Sequence, residues 1–259
     1  MRSILFAATC IFLFSCNGSD KKDPNQAMDD TARMRNPPVQ APLFNRVLLM
    51  ENEITSVIKV KGKVIEASKW MDSKGENFVI LSSVGPFDDK GKNKDEEDGQ
   101  TTELYIAHYT RDGNNYPKKW DRKATVQACP FDITAKFIPG SLTITDLDND
   151  SIAEVKIQYL TACRSAVSPA AMNLVMEENG SAYELTGSSW IAYSPEFKFD
   201  VNEKNVNMES QPPLKDETQE MLRGFGRYEN EKGFAGTPPG FLNFARKEWL
   251  KYVIEKMGE

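Results

Sequence analysis

From Val57 to Tyr193 the chain runs in short stretches rich in β-branched and aromatic residues, separated by Gly, Asn and Asp. That rhythm is the signature of consecutive hairpins rather than of helices, because strands need a period of two and turns need residues tolerant of unusual φ. Four hairpins can be drawn. The first joins Lys63-Val64-Ile65-Glu66 to Phe78-Val79-Ile80-Leu81 through residues 72–77. The second joins the run from Glu103 to Tyr109 to a strand near Lys123 to Gln127, around Asp112-Gly113-Asn114. Leu142-Thr143-Ile144-Thr145 then pairs with the run from Val155 to Tyr159 across Asp146 to Asp150. The last joins Asn173-Leu174-Val175-Met176 to Ala182-Tyr183-Glu184-Leu185 over Glu178-Asn179-Gly180, where Asn-Gly suits a tight turn. Near the C-terminus Thr237-Pro238-Pro239 starts a helix that places Leu242, Ala245, Trp249 and Val253 on one face. The expectation is a mainly β fold: an antiparallel meander of about four hairpins, in a sandwich, a curled barrel or a propeller-like arrangement, with a C-terminal helix.

The other apolar run, Ile4 to Phe14, follows Arg2 and is too short to span a bilayer, so it reads as a signal peptide. Leu13-Phe14-Ser15-Cys16 resembles the lipobox of bacterial lipoproteins, which implies cleavage before Cys16 and lipidation on it. Residues 1–15 are then a signal peptide, 16–42 a polar lipidated tether and 43–259 a β-rich extracytoplasmic domain with a C-terminal helical segment. A diacylglycerol plus an amide-linked acyl chain anchors far more firmly than the single chain that gives marginal binding. Asn17 is not the aspartate associated with inner-membrane retention, which points to the outer membrane or cell surface, with a periplasm-facing leaflet as the other choice.

A net charge of −6 opposes binding to phosphate backbones, so nucleic acid is an unsuitable partner. Of four cysteines, Cys10 leaves with the signal and Cys16 takes lipid. Cys129 and Cys163 remain, and in an oxidising compartment an exclusive pair reads as a disulfide, the alternative being two buried thiols.

The sharpest chemical signal is Asp146-Leu147-Asp148-Asn149-Asp150-Ser151-Ile152-Ala153-Glu154. Side-chain oxygens from Asp146, Asp148 and Asp150, the Ile152 carbonyl and the Glu154 carboxylate have the spacing with which a short turn wraps a hard cation, so a structural Ca²⁺ is the candidate cofactor. The segment looks like the Asp-rich calcium loops of integrin-type and dockerin-type repeats, although Ser151 stands where such loops carry glycine. The alternative is a self-capped acidic turn without an ion. Mixed charges from Asp88 to Asp98 read as a solvated loop. His108, the one histidine, shares a strand face with Leu104 and Ile106 and reads as structural. Trp70, Trp120 and Trp190 lie beside hairpins, in core or rim positions rather than as sugar platforms. Without a Gly-x-Ser-x-Gly elbow, a Gly-rich phosphate loop or zinc spacing, the common hydrolases and nucleotide enzymes are disfavoured, and no catalytic residue is assigned.

Taken in order, Trp70-Met71-Asp72 with Gly75 and Asn77, Glu103-Leu104-Tyr105 with His108-Tyr109, Trp120-Asp121, Cys129-Pro130-Phe131-Asp132, the run from Thr145 to Asp150, Cys163 with Val167-Ser168-Pro169 and Met172, and Tyr183-Glu184-Leu185 before Gly187 resemble a family of small lipoproteins of Gram-negative bacteria described as surface polysaccharide biosynthesis proteins. The sequence departs from that pattern at Ser165-Ala166, Asn173, Thr186 and Ser151. The resemblance implies a membrane-anchored lipoprotein with a non-catalytic role in binding or assembling cell-surface polysaccharide, with the polysaccharide or its assembly proteins as partners. Two other readings remain open at this point: a carbohydrate-active enzyme using a carboxylate pair, and a calcium-stabilised adhesion or scaffold module.

Overall fold

The structure is a computed structural model that describes residues 44–90, 98–166, 168–192 and 196–255. These belong to one unit, Ala41–Glu259; the signal and the whole tether with Cys16 lie outside the described residues, as does most of the charged stretch after Lys90.

The chain folds as two antiparallel sheets of five strands, with no closed barrel, so of the three arrangements open to the meander it adopts the sandwich. The first sheet is sequential: β1 (Val47–Leu48), β2 (Lys63–Asp72), β3 (Gly75–Asp89), β4 (Gly99–Thr110) and β5 (Lys118–Cys129) lie side by side in chain order. The second contains β6 (Asp132–Phe137), β7 (Thr143–Thr145), β8 (Glu154–Arg164), β9 (Ala171–Glu178) and β10 (Ser181–Ser188). Here β10, β9, β8 and β6 follow one another, and β7 also pairs with β8. All four expected hairpins form. Asn179 and Gly180 both take positive φ, 48° and 89°, as the tight Asn-Gly turn requires.

Alternation along the strands delivers one face of each sheet to a shared interior. Trp70, Val79, Leu81, Leu104 and Ile106 from the first sheet meet Phe137, Ile144, Val155, Ile157, Tyr159 and Val175 from the second. The opposite face of the first sheet is covered by a short helix α1 (Glu51–Thr55), which puts Ile54 and, just beyond, Ile58 on Ala67, Phe78 and Ile80. Across the outer face of the second sheet runs the C-terminal part, with α2 (Glu217–Arg223) and α3 (Pro239–Tyr252). Phe241, Ala245, Trp249 and Val253 are buried there against Leu174, Met176 and Leu185. Ala245, Trp249 and Val253 lie on the buried face as expected; at its start Phe241 is inside in place of Leu242, which is only partly buried.

Polar side chains join the layers at fixed points. His108 on β4 bonds Glu177 on β9 through Nδ1 (2.7 Å) and Asn77 on β3 through Nε2 (3.2 Å), and it packs against Trp70. It is buried, a structural tie between sheets, and alternation alone did not reveal its partners. Trp70 and Trp190 are core residues and Trp120 is half-buried, so none of the three offers an open indole platform. Asp88 and Asp89, expected in a loop, instead close strand β3, where Asp89 accepts a hydrogen bond from Thr101. A disulfide links Cys129, the last residue of β5, to Cys163 on β8, with Cα atoms 5.5 Å apart, and so staples the two sheets together.

Candidate metal centre

One end of the second sheet gathers acidic residues from two turns. Strand β7 ends at Thr145, opposite Glu154, and Glu154 is in turn opposite Glu178 on β9. This register sets the turn from Asp146 to Ala153 beside the end of β9. Within the turn Asp148 Oδ1 accepts the Asp150 N–H (3.3 Å) and Asp150 Oδ1 accepts the Ile152 N–H (2.7 Å). Asn149 and Ser151 take positive φ, 62° and 68°. Ser151 therefore does adopt the left-handed conformation for which calcium loops use glycine. The neighbouring β2–β3 turn braces the loop: Ser73 N–H donates to the Ser151 carbonyl (2.8 Å), and Asp72 Oδ2 accepts the Ala153 N–H (3.3 Å).

The expected ligands form two overlapping groups. Asp146, Asp148 and Glu154 present carboxylate oxygens within 4.8 Å of one another, and so do Asp148, Asp150 and Glu178. The first group could hold a metal ion. Glu178 was not foreseen; its signal was the cross-strand neighbourhood of two acidic turns at the same end of an up-and-down sheet. Ile152 follows Asp150 in the turn and also lines a cavity of about 130 Å³, together with Asp72, Asn77, His108 and Thr110.

Glu154 is fully buried, and its carboxylate accepts from Thr145 Oγ1 (2.7 Å) and the Leu147 N–H (2.9 Å). Burial pushes its carboxyl up to about 7 despite these bonds, with Asp148 adding to the rise. Glu178 is likewise raised to about 7 by burial and by the charges of Asp148, Glu154 and Asp150. Two oxygens, Asp146 Oδ1 and Glu178 Oε1, are buried without a hydrogen-bond partner among the described residues. None of the five carboxylates is in an ion pair there. Like charges at this spacing repel, and orphaned acceptors cost roughly 1–3 kcal/mol each, so the centre is short of positive charge in a way a divalent cation would correct.

A groove of about 680 Å³ lies elsewhere, between the end of β10 and α2; its arginines are already engaged, Arg223 with Glu220 and Arg227 with Asp200. Comparison with protein-family models, curated proteins and solved structures found no match.

Proposed function

We propose that the chain is an exported lipoprotein, anchored through Cys16 to the outer membrane or cell surface, whose sandwich binds or helps assemble cell-surface polysaccharide without catalysing a reaction. In this reading Ca²⁺ is a structural part of the domain, held by Asp146, Asp148, Asp150, Glu154 and Glu178. The observation that carries it is the acidic centre with its two orphaned carboxylate oxygens, because a hard cation with many oxygen ligands suits that donor set. The cation would neutralise the turn and fix the end of the sandwich at which the β2–β3, β7–β8 and β9–β10 turns meet. A disulfide between the sheets fits an oxidising compartment.

The test is a glycan array probed with the chain from residue 16 carrying Cys16→Ala, in millimolar Ca²⁺ and in chelator. Retention on surface polysaccharides that weakens in chelator is expected. No retention in either condition, or release of cleaved product, overturns the binding role. Anchoring is read separately: Cys16→Ala moves the protein from the detergent phase to the soluble fraction, and a variant that stays with the membrane refutes lipidation at this cysteine.

A further inference from the structure

We propose that the cavity of about 130 Å³ at the turn end of the sandwich binds one carboxylate-bearing sugar residue of an acidic polysaccharide, with the ammonium groups of Lys74 and Lys119 on its carboxylate. For the polymer this rests on the binding role proposed above; for the pocket it rests on the geometry that follows. The volume is below the roughly 300–1,000 Å³ of sites for drug-sized ligands, so it suits a single terminal or protruding residue rather than a length of chain.

Turns from both sheets build the pocket. Its polar lining includes His108, Asn77 and Thr110, all three buried. Ile152 and Ala153 of the acidic loop give it an apolar wall, and Asn179 comes from the tight turn between β9 and β10. Lys119 enters through a register shift: His108 pairs with Trp120 but Tyr109 with Lys118, which leaves Lys119 as the extra residue of a β-bulge. A bulge re-aims a side chain, and bulges are frequent beside binding sites.

The hydrogen-bond inventory sets the chemistry of the ligand. Carboxylates in and behind the lining are spent on the protein itself. Asp72 accepts the Lys74 N–H (2.8 Å) on Oδ1, and Trp70 Nε1–H (3.2 Å) and the Ala153 N–H (3.3 Å) on Oδ2. Glu177, behind the imidazole, serves His108 and the Gly180 N–H (2.6 Å). Asn77 Oδ1 accepts the Thr110 hydroxyl (2.7 Å) and faces His108 Nε2 (3.2 Å). The donors at the mouth are unspent: Lys74, Lys119 and Asn179 are exposed, and their side chains have no partner among the described residues. Two free ammonium groups over a cavity whose own carboxylates are engaged call for an anionic acceptor. The apolar wall and the lysine stems, with the Thr110 oxygen and the Asn179 amide beside them, fit the C–H face and hydroxyls of a sugar better than a bare inorganic anion. Asp148, Asp150 and Glu178 do not line the cavity, and a cation held by the acidic centre offsets their charge.

The experiment titrates glucuronate, glucose and acetate into the chain from residue 16 carrying Cys16→Ala, in millimolar Ca²⁺, and follows amide chemical shifts. Glucuronate should bind about tenfold more tightly than glucose, which lacks the charge, and than acetate, which lacks the ring. Lys74→Met and Lys119→Met keep the aliphatic stems and should each weaken glucuronate binding about fivefold. Melting temperatures should stay near wild type, since both side chains are exposed. No binding of glucuronate, equal binding of glucose, or Met variants that bind like wild type overturns the proposal. Acetate bound as tightly as glucuronate also overturns it, because the cavity then takes any anion. On the glycan array the same variants separate the two readings. Retention that neither Met change weakens refutes the cavity and leaves the binding role standing, whereas glucuronate bound in titration without retention of any polysaccharide refutes that role and supports the cavity.

Discussion

Strand β8 carries three buried or half-buried charges with very different surroundings. Lys156, fully buried, donates to Glu248 on α3 (2.6 Å) and to Gln158 (3.1 Å) and lies over the Tyr252 ring. At the strand's end Arg164 pairs with Glu255, which also accepts from Ser189 and the Ala170 N–H. Glu154, two residues before Lys156, faces carboxylates instead. A buried charge that is fully partnered is a joint between elements; a buried charge among like charges is a place prepared for something else. The two can share one strand because alternate residues at 154, 156 and 158 face one way, and the C-terminal segment covers that face only from Lys156 onward with a partner of opposite sign.

The largest break should come from removing one side of the joint. Lys156→Met leaves buried Glu248 with only Lys251, 3.3 Å away and largely exposed, as counter-charge, which should lower stability by about 3 kcal/mol in urea unfolding. Adding Glu248→Leu should recover most of the loss, because the desolvation cost of the under-compensated carboxylate disappears. A single variant that costs under about 1 kcal/mol would mean that the pair is not buried as described.

Glu255→Gln should cost somewhat less, about 2–3 kcal/mol at neutral pH, since Gln keeps an acceptor for Ala170 and Ser189 while Arg164 loses its counter-charge. Burial pushes the Glu255 carboxyl up, but the bonds from Arg164, Ser189 and the Ala170 N–H outweigh it and hold it below the usual carboxylate range. A depressed folded pKa stabilises above the unfolded value, about 4.3, and that contribution is lost as pH falls through the folded pKa. Wild type and Glu255→Gln should therefore differ in melting temperature at pH 7 and converge below about pH 4. A gap that persists unchanged at low pH would assign the loss to packing.

At the acidic end the effect is smaller and depends on the ion. With a Kd near 10⁻⁴ M, millimolar Ca²⁺ stabilises by about 1.4 kcal/mol, a rise of roughly 3 °C for a domain of this size. Asp148 belongs to both carboxylate groups, so Asp148→Ala should abolish the difference between Ca²⁺ and chelator. Wild type melting identically in both would reduce the centre to a self-capped turn.

The four hairpins were legible because alternation and turn residues are local, and the Cys129–Cys163 bond because elimination left one pair. What stayed hidden was set by tertiary context. Strand β6, Asp132-Ile133-Thr134-Ala135-Lys136-Phe137, buries only Phe137 fully and is a strand because β8 offers it an edge. The two-residue β1 and the short α1 are too brief to carry a period. At the candidate site Asp146 to Glu154 stood in one window, whereas Glu178 joins them only through the β8–β9 register, which no single segment specifies.

The smallest expected effect tests the turn itself. Ser151 is exposed and holds φ at 68°, a conformation that costs a residue with a Cβ roughly 1 kcal/mol. Ser151→Gly removes that cost but also gives the unfolded chain more freedom, so the net gain should be about 0.5 kcal/mol. The hydrogen bond from Ser73 runs to the Ser151 carbonyl and survives the change. If the turn only caps itself, the gain is the same in Ca²⁺ and in chelator. If it closes around a cation, glycine lets the apo loop sample the closed form more often, and the midpoint of a Ca²⁺ titration should fall about twofold, as 0.5 kcal/mol implies. Ser151→Ala is the control, since it removes the hydroxyl while retaining the Cβ: a shift shared by Gly and Ala would trace the effect to the hydroxyl, and a shift confined to Gly would trace it to the backbone.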